Sequence, residues 1–171
     1  PLSTKMLVDS GFDVSLTIVG DGELKSSLEL LAQELEVTQA VHFYGAASPQ
    51  EVSRLLSESD VFLFPSVETA AGDAEGQGVV IQEAQAVGIP IVANRHNGVP
   101  DGVIEGEPAL LVEERDTEQF AESIRGLLSN IELRKQMRVK GRPFVEGKFD
   151  RAVVAKLMVE TYEHHLSTAL V

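Results

Sequence analysis

The chain has 171 residues, 27 of them acidic and 14 basic, for a formal charge of −13, which excludes a general surface for nucleic acid or anionic membrane because neither offers positive charge to offset it. With no cysteine there is no disulfide framework, thiolate nucleophile or sulfur-ligated metal, and cytoplasm is the expected compartment. No apolar run approaches the roughly 20 residues of a membrane crossing, while a hydrophobic content of 43% argues against disorder.

The first 11 residues read as a helix-like fragment carrying Met6, Leu7 and Val8, with no apolar strand before it. An intact strand-to-helix unit does not begin this way, so truncation at the N-terminal edge is expected. Residues 13–19, DVSLTIV, form a strand that runs into Gly20-Asp21-Gly22. Leu24, Leu28, Leu31 and Leu35 then recur at helical spacing over 23–36, the pattern of a helix lying on a sheet. A second strand over 40–44 ends at Gly45, and Ser48-Pro49-Gln50-Glu51 combines an N-cap, proline at the first helical position and a capping-box glutamate.

Residues 60–65, DVFLFP, are apolar nearly throughout, which predicts a central strand buried on both faces. A polar, glycine-bearing stretch follows over 66–76. Beyond it the spacing predicts a helix over 78–87, a strand over 89–93, a short helix over 99–104, a strand over 109–112 and an amphipathic helix over 116–128 led by Phe120 and Ile124. The tail holds two more helices, separated near Gly141-Arg142-Pro143 and Gly147. The last one gathers Val153, Val154, Leu157, Met158, Thr161 and Tyr162 on one side, a stripe suited to core packing or to another domain. Five strands alternating with helices predict one α/β domain over 1–171, a doubly wound and mostly parallel Rossmann-like sheet flanked by helices, with its core over 12–128 and a helical region over 129–171.

In such a sheet ligands bind beyond the carboxyl ends of the strands, where glycine turns and helix N-termini present free N–H groups. Those places are Gly20 to Gly22, Gly45 to Ala47, the run Gly76, Gln77, Gly78, Val79 and Val80, and Asn97 with Gly98. The first turn is not GxGxxG, so a dinucleotide is not indicated. Glu75 precedes the glycine run and Glu83 follows it inside the helix. Two carboxylates around backbone donors suit a polyhydroxylated, phosphorylated ligand, since each accepts two hydroxyl hydrogen bonds. His42 reads as strand packing, His96 as a loop or solvent-facing residue first and a ligand-facing one second, and the adjacent His164 and His165 make poor evidence for zinc. Gln77 and Arg95 are a polar side chain and a cation near the same loops, and Gln77 is expected to meet water or local backbone.

The segments IVGDGELKSSLELLAQEL, VHFYG, SPQEVSRLLSESDVFLFPS, the Glu75-x7-Glu83 pair, AVGIPIVANRHNGVPDGV and ALLV occur in this order. Together they resemble, over 14–128, the C-terminal nucleotide-sugar domain of the group 1, or family 4, retaining glycosyltransferases of the two-domain GT-B architecture. The long turn over 67–74 is similar to that of members acting in colanic acid and exopolysaccharide synthesis. The resemblance implies transfer of a sugar from a nucleoside diphosphate sugar to an acceptor hydroxyl with retention, and no bound cofactor or metal. Glu83 would bind ribose hydroxyls, and Glu75 would hold the transferred sugar and favour charge at its anomeric carbon. The amides over 76–80 would cradle the distal phosphate and the sugar. Tyr44, Gly45 and Ala46 would meet the base, Gly20 and Gly22 would line the crevice, and Asn97 and Gly98 would close over it.

In the bulky apolar position common between the two glycines the chain has Gln77, so donor preference does not carry over. The family's Arg-Lys phosphate pair, which follows the first strand of this domain, has no match here, since Lys5 is the only cation among the first five residues and lies in a helix. That pair and the N-terminal domain that binds a saccharide or lipid-linked acceptor are expected outside this sequence, with peripheral membrane association reserved for the full enzyme. A sugar-nucleotide epimerase domain and a nonenzymatic sugar-nucleotide-binding domain are the alternatives.

Overall fold

A computed structural model describes residues 1–69, 72 and 76–169. In chain order the elements are α1 (Leu2–Asp9), β1 (Leu16–Val19), α2 (Lys25–Glu34), β2 (Val41–Gly45), α3 (Pro49–Glu58), β3 (Phe62–Phe64), α4 (Val79–Val87), β4 (Ile91–Asn94), a 3-10 turn (Pro100–Gly102), β5 (Ala109–Val112), α5 (Thr117–Ser129), α6 (Ile131–Lys148) and α7 (Arg151–Ala169). All five expected strands form, and every ladder is parallel. Hydrogen bonding divides them into two sheets, β1-β2 and β3-β4-β5.

The three-stranded sheet is the centre of the core. Along β4 side chains alternate between faces, so Ile91 and Ala93 join Ile81 and Ala84 of α4 in one cluster. Val92 joins Phe120, Ile124 and Leu127 of α5 and Met137 of α6 in the other. Helices therefore cover both faces, as a doubly wound arrangement requires. Beside it, Ala32, Val37 and Val41 make a separate small cluster under β1 and β2.

The run 60–65 is less deeply placed than expected. Phe62, Leu63 and Phe64 are each only half-buried, because β3 pairs with β4 and, among the described residues, with no other strand. The expected break at residues 141–143 is also absent, since α6 runs unbroken through Gly141 and Pro143. Proline there removes the hydrogen bond to the carbonyl of Val139, and both residues are exposed, so water can serve that oxygen. The helices part at Phe149 and Asp150, where the Asp150 carboxylate accepts a hydrogen bond from the Ala152 N–H at 2.8 Å and starts α7.

Gly141 has a packing role instead. A Cβ there would lie 2.7 Å from the Gln85 carbonyl oxygen of α4, and one on Gly88 would lie 2.8 Å from the Arg138 carbonyl oxygen of α6. Two glycines thus let these helices meet backbone to backbone. The stripe on α7 does not pack into the core, since its described side chains are exposed from Arg151 through Ser167. Among the described residues no helix is long and apolar enough to cross a membrane.

Candidate functional site

The expected site residues collect at strand carboxyl ends, in two clusters, one on each sheet. In the first, the Gly20 N–H donates to the Gly45 carbonyl at 2.8 Å, so the turns after β1 and β2 are bound together. The ladder slips by one residue between Ile18 and Val19 to allow this, and Gly20 and Gly45 take φ of +132° and +83°, where other residues are strained. Gly22, Tyr44 and Ala46 are exposed beside them.

The Tyr44 hydroxyl donates to Glu51 Oε1 at 3.0 Å. Glu51 is the reciprocal member of the expected capping box: Ser48 N–H donates to its Oε2 at 2.9 Å and the Ser48 hydroxyl at 2.8 Å, while the Glu51 N–H donates back to that hydroxyl oxygen at 3.3 Å. These donors, the Ser48 N–H first, then its hydroxyl and that of Tyr44, hold the Glu51 carboxyl below the usual carboxylate range.

The second cluster surrounds the glycine run. Gly78 takes φ of +75°, and a Cβ on it would lie 2.7 Å from the Phe64 ring of β3. The Gly98 N–H donates to the Gly76 carbonyl at 2.9 Å, and a Cβ on Gly98 would come within 2.6 Å of that oxygen. Gln77 lies half-buried with its Cγ 2.8 Å from where a Gly102 Cβ would stand, so its stem packs against the 3-10 turn instead of simply meeting water. Asn97 adopts a left-handed φ of +43° in the facing loop. Beneath, the buried Gln85 donates through Nε2 to the Gly102 carbonyl at 2.8 Å, and Gln82 reaches the same oxygen at 3.2 Å.

The entry to α4, like those of α1 and α2, carries no side-chain cap. Ser48, Asp116 and Asn130 cap α3, α5 and α6 with side-chain oxygens, whereas α4 begins at Gly78 with no side-chain cap. The amides of Val79 and Val80 therefore face the turn with the positive end of the helix dipole behind them. Val79 is 77% exposed, Val80 is half-buried and Glu83 is exposed, one turn on from Val79 along the same face. Glu75 lies outside the described residues.

Two histidines depart from expectation. His42 is exposed on β2, the strand's alternation turning it away from the cluster that holds Val41 and Phe43. His96 is buried, and its Nδ1 bonds Glu114 Oε1. That pairing went unread because the partners are 18 residues apart. The signal lay in the register of β4 on β5, Asn94 opposite Val112, which continued two residues brings 96 beside 114. Arg95 is held by Glu105 and, at 3.1 Å, by Glu113, so its charge is already countered. Among the described residues no group of three or more acidic or histidine side chains is placed to hold a metal.

Parallel strands with helices on both faces, glycine turns at their carboxyl ends and an uncapped helix define a Rossmann-like domain of the kind found in GT-B glycosyltransferases. The family model described as "Glycosyl transferases group 1" matches residues 4–144, and the chain belongs to that family. It is 33% identical over 152 residues, 88% of its length, to WcaL of Escherichia coli K12, named for colanic acid biosynthesis, and covers 37% of that protein. It is 34% identical over 145 residues, 84% of its length, to a GDP-mannose-dependent monoacylated alpha-(1-6)-phosphatidylinositol monomannoside mannosyltransferase of Corynebacterium glutamicum, again covering 37%. Anabaena HepE, solved in complex with UDP and glucose, superimposes with a TM-score of 0.79 at 20% identity over 95% of this chain and 44% of its own. The chain thus spans less than half the length of each.

Proposed function

We propose that the chain is the donor-binding domain of a retaining glycosyltransferase that moves a sugar from a nucleoside diphosphate sugar to an acceptor hydroxyl, in polysaccharide or glycoconjugate synthesis. The observation that carries this reading is the uncapped start of α4, reached through a glycine turn that Gly98 pins, with Glu83 exposed one turn along. In a chain of charge −13, phosphate has to be met locally, and backbone amides at a helix start meet it without a cation. Membership of the glycosyl transferases group 1 supports the same assignment.

On this reading the amides over 76–80 hold the distal phosphate, where charge accumulates as the sugar leaves. Glu83 accepts from the ribose hydroxyls, and Glu75 holds the transferred sugar. The bound pair of turns at Gly20 and Gly45, with Gly22, Tyr44 and Ala46, lines the base and ribose side. Asn97 and Gly98 close over the cleft. Acceptor binding and the remaining phosphate charge fall to a preceding domain, and the full enzyme works in the cytoplasm, at the inner face of the membrane for lipid-linked acceptors.

Calorimetry with UDP-glucose and GDP-mannose tests the site. One of the two is expected to bind, and Glu83→Gln to weaken it by roughly tenfold, the loss of a charge-assisted hydrogen bond. Unchanged affinity in that variant rejects the ribose role, and robust sugar transfer by the 171-residue chain alone rejects the need for a second domain.

A further inference from the structure

The segment joining β3 to α4 is held at both stems by the last residue of β4 and the loops after β4 and β5. At its entry, Asn94 Nδ2 donates to the Ser66 carbonyl at 2.9 Å, and the Glu68 N–H donates to Glu114 Oε2 at 3.2 Å. The Arg115 guanidinium reaches the Glu68 carbonyl at 3.4 Å. At its exit, Gly98 donates to the Gly76 carbonyl and allows no side chain between them. His96 stands where the two sets of contacts cross. Its side chain is 3% exposed, it precedes Gly98 by two residues, and its Nδ1 meets the Glu114 oxygen that Glu68 leaves free.

The ring's other nitrogen, Nε2, is sealed from solvent and has no hydrogen-bond partner among the described residues. An imidazole kept in such a place despite an unsatisfied nitrogen is fixed there by its remaining polar contact, here one to a carboxylate. The contact acts in both directions: the hydrogen bond from His96 is the largest influence holding the Glu114 carboxyl below the usual carboxylate range.

We propose that His96 is a positioning residue for the donor site: by holding Glu114 through Nδ1 while its own turn carries Gly98, it sets both stems of the segment between β3 and α4 as one unit. The claim that this matters for the donor rests on the reading of the 76–80 amides given above, whereas the latch itself does not. Its function is to present the start of α4, and so the distal phosphate and sugar, at a fixed place relative to β4 and β5. Preorganised donors are what such a site needs, since they are not reoriented at the moment of reaction.

Two measurements on the 171-residue chain test this. His96→Leu fills the space without an Nδ1–H, while His96→Asn returns an amide donor close to the Nδ1 position. In His96→Leu the Glu68 amide is expected to exchange with deuterium about tenfold faster, a loss of local protection, with the amides of α5 and the urea midpoint unchanged. His96→Asn is expected to restore protection. Affinity for UDP-glucose or GDP-mannose, whichever binds, is expected to fall about tenfold in His96→Leu, while that for the matching nucleoside monophosphate stays within about twofold, because only the former reaches the distal phosphate. Should His96→Leu not fold, His96→Ala, which removes the same Nδ1–H, is expected to give the same pattern. Wild-type exchange at Glu68 in a folded His96 variant that lacks the Nδ1–H overturns the latch, and equal loss of the sugar nucleotide and the monophosphate overturns its donor role. If the wild-type chain binds neither nucleotide, the donor reading and that role fall together, and Glu68 exchange still decides the latch.

Discussion

In β4, Ile91, Val92 and Ala93 are sealed from solvent, whereas along β1 Leu16 and Ile18 are half-buried and Thr17 and Val19 face out. The contrast follows from what covers each sheet. Helices lie on both faces of β3-β4-β5, so β4 reads as a continuous apolar run; α2 covers one face of β1-β2, so those strands alternate. The two clusters of candidate site residues are divided between these halves, the turns proposed to meet phosphate on the deeply packed sheet and those proposed to meet the base on the lightly packed one. The chain thus places tightly constrained backbone, at Gly78, Gly98 and Gly102, on its most deeply packed sheet.

The sharpest way to break this comparison is to cut equivalent side chains from the two sheets. Ile91→Ala removes a fully buried group and is expected to cost about 3–4 kcal/mol. Ile18→Ala removes a half-buried one and is expected to cost about 1 kcal/mol. Urea unfolding measures both, and equal losses would mean that the two sheets share stability evenly.

A second pair probes how the three-stranded half is clamped. Gly141→Val drives a side chain into the Gln85 carbonyl and is expected to cost about 2–3 kcal/mol. Gly147, in the same helix, has nothing within 4 Å of where a Cβ would stand, so Gly147→Ala is expected to stabilise by about 0.5–1 kcal/mol through helix propensity alone. A neutral Gly141→Val would show that α4 and α6 can separate freely.

These pairs also mark what the sequence made legible. Element order, the parallel α/β class and the Ser48–Glu51 capping box follow from local pattern, because period and capping chemistry are written within a few residues. The apolar run 60–65 predicts a deeper strand than β3 is, because such a run reports what a strand can bury, not how many neighbours it has. Gly141 and Pro143 read as a helix break, yet the glycine serves a contact with Gln85 that lies 56 positions away along the chain, and such spacing carries no local signal. The glycine turns follow from strand order, because ligands of a parallel sheet bind beyond the strands' carboxyl ends. Their pairing, Gly20 with Gly45 and Gly76 with Gly98, and the burial of His96 beside Glu114 emerge only once the strands are in register.

The smallest expected effect lies on the lightly packed half. Because the Glu51 carboxyl is held below its ordinary range in the folded chain, its contribution to stability is fully present above that range and is lost as pH falls through the lowered folded value. Tyr44→Phe removes the third of its donors, after the Ser48 N–H and hydroxyl. Carbon-detected NMR titration is expected to show Glu51 moving up toward the ordinary carboxylate value, by less than Ser48→Ala moves it. The variant's stability deficit should be present at neutral pH and shrink as the carboxyl protonates, with resonances around Ile91 unmoved throughout. A shift that spread to β4 would mean that the two halves respond as one body, and an unmoved Glu51 would mean that the Tyr44 hydroxyl is free to meet a bound base.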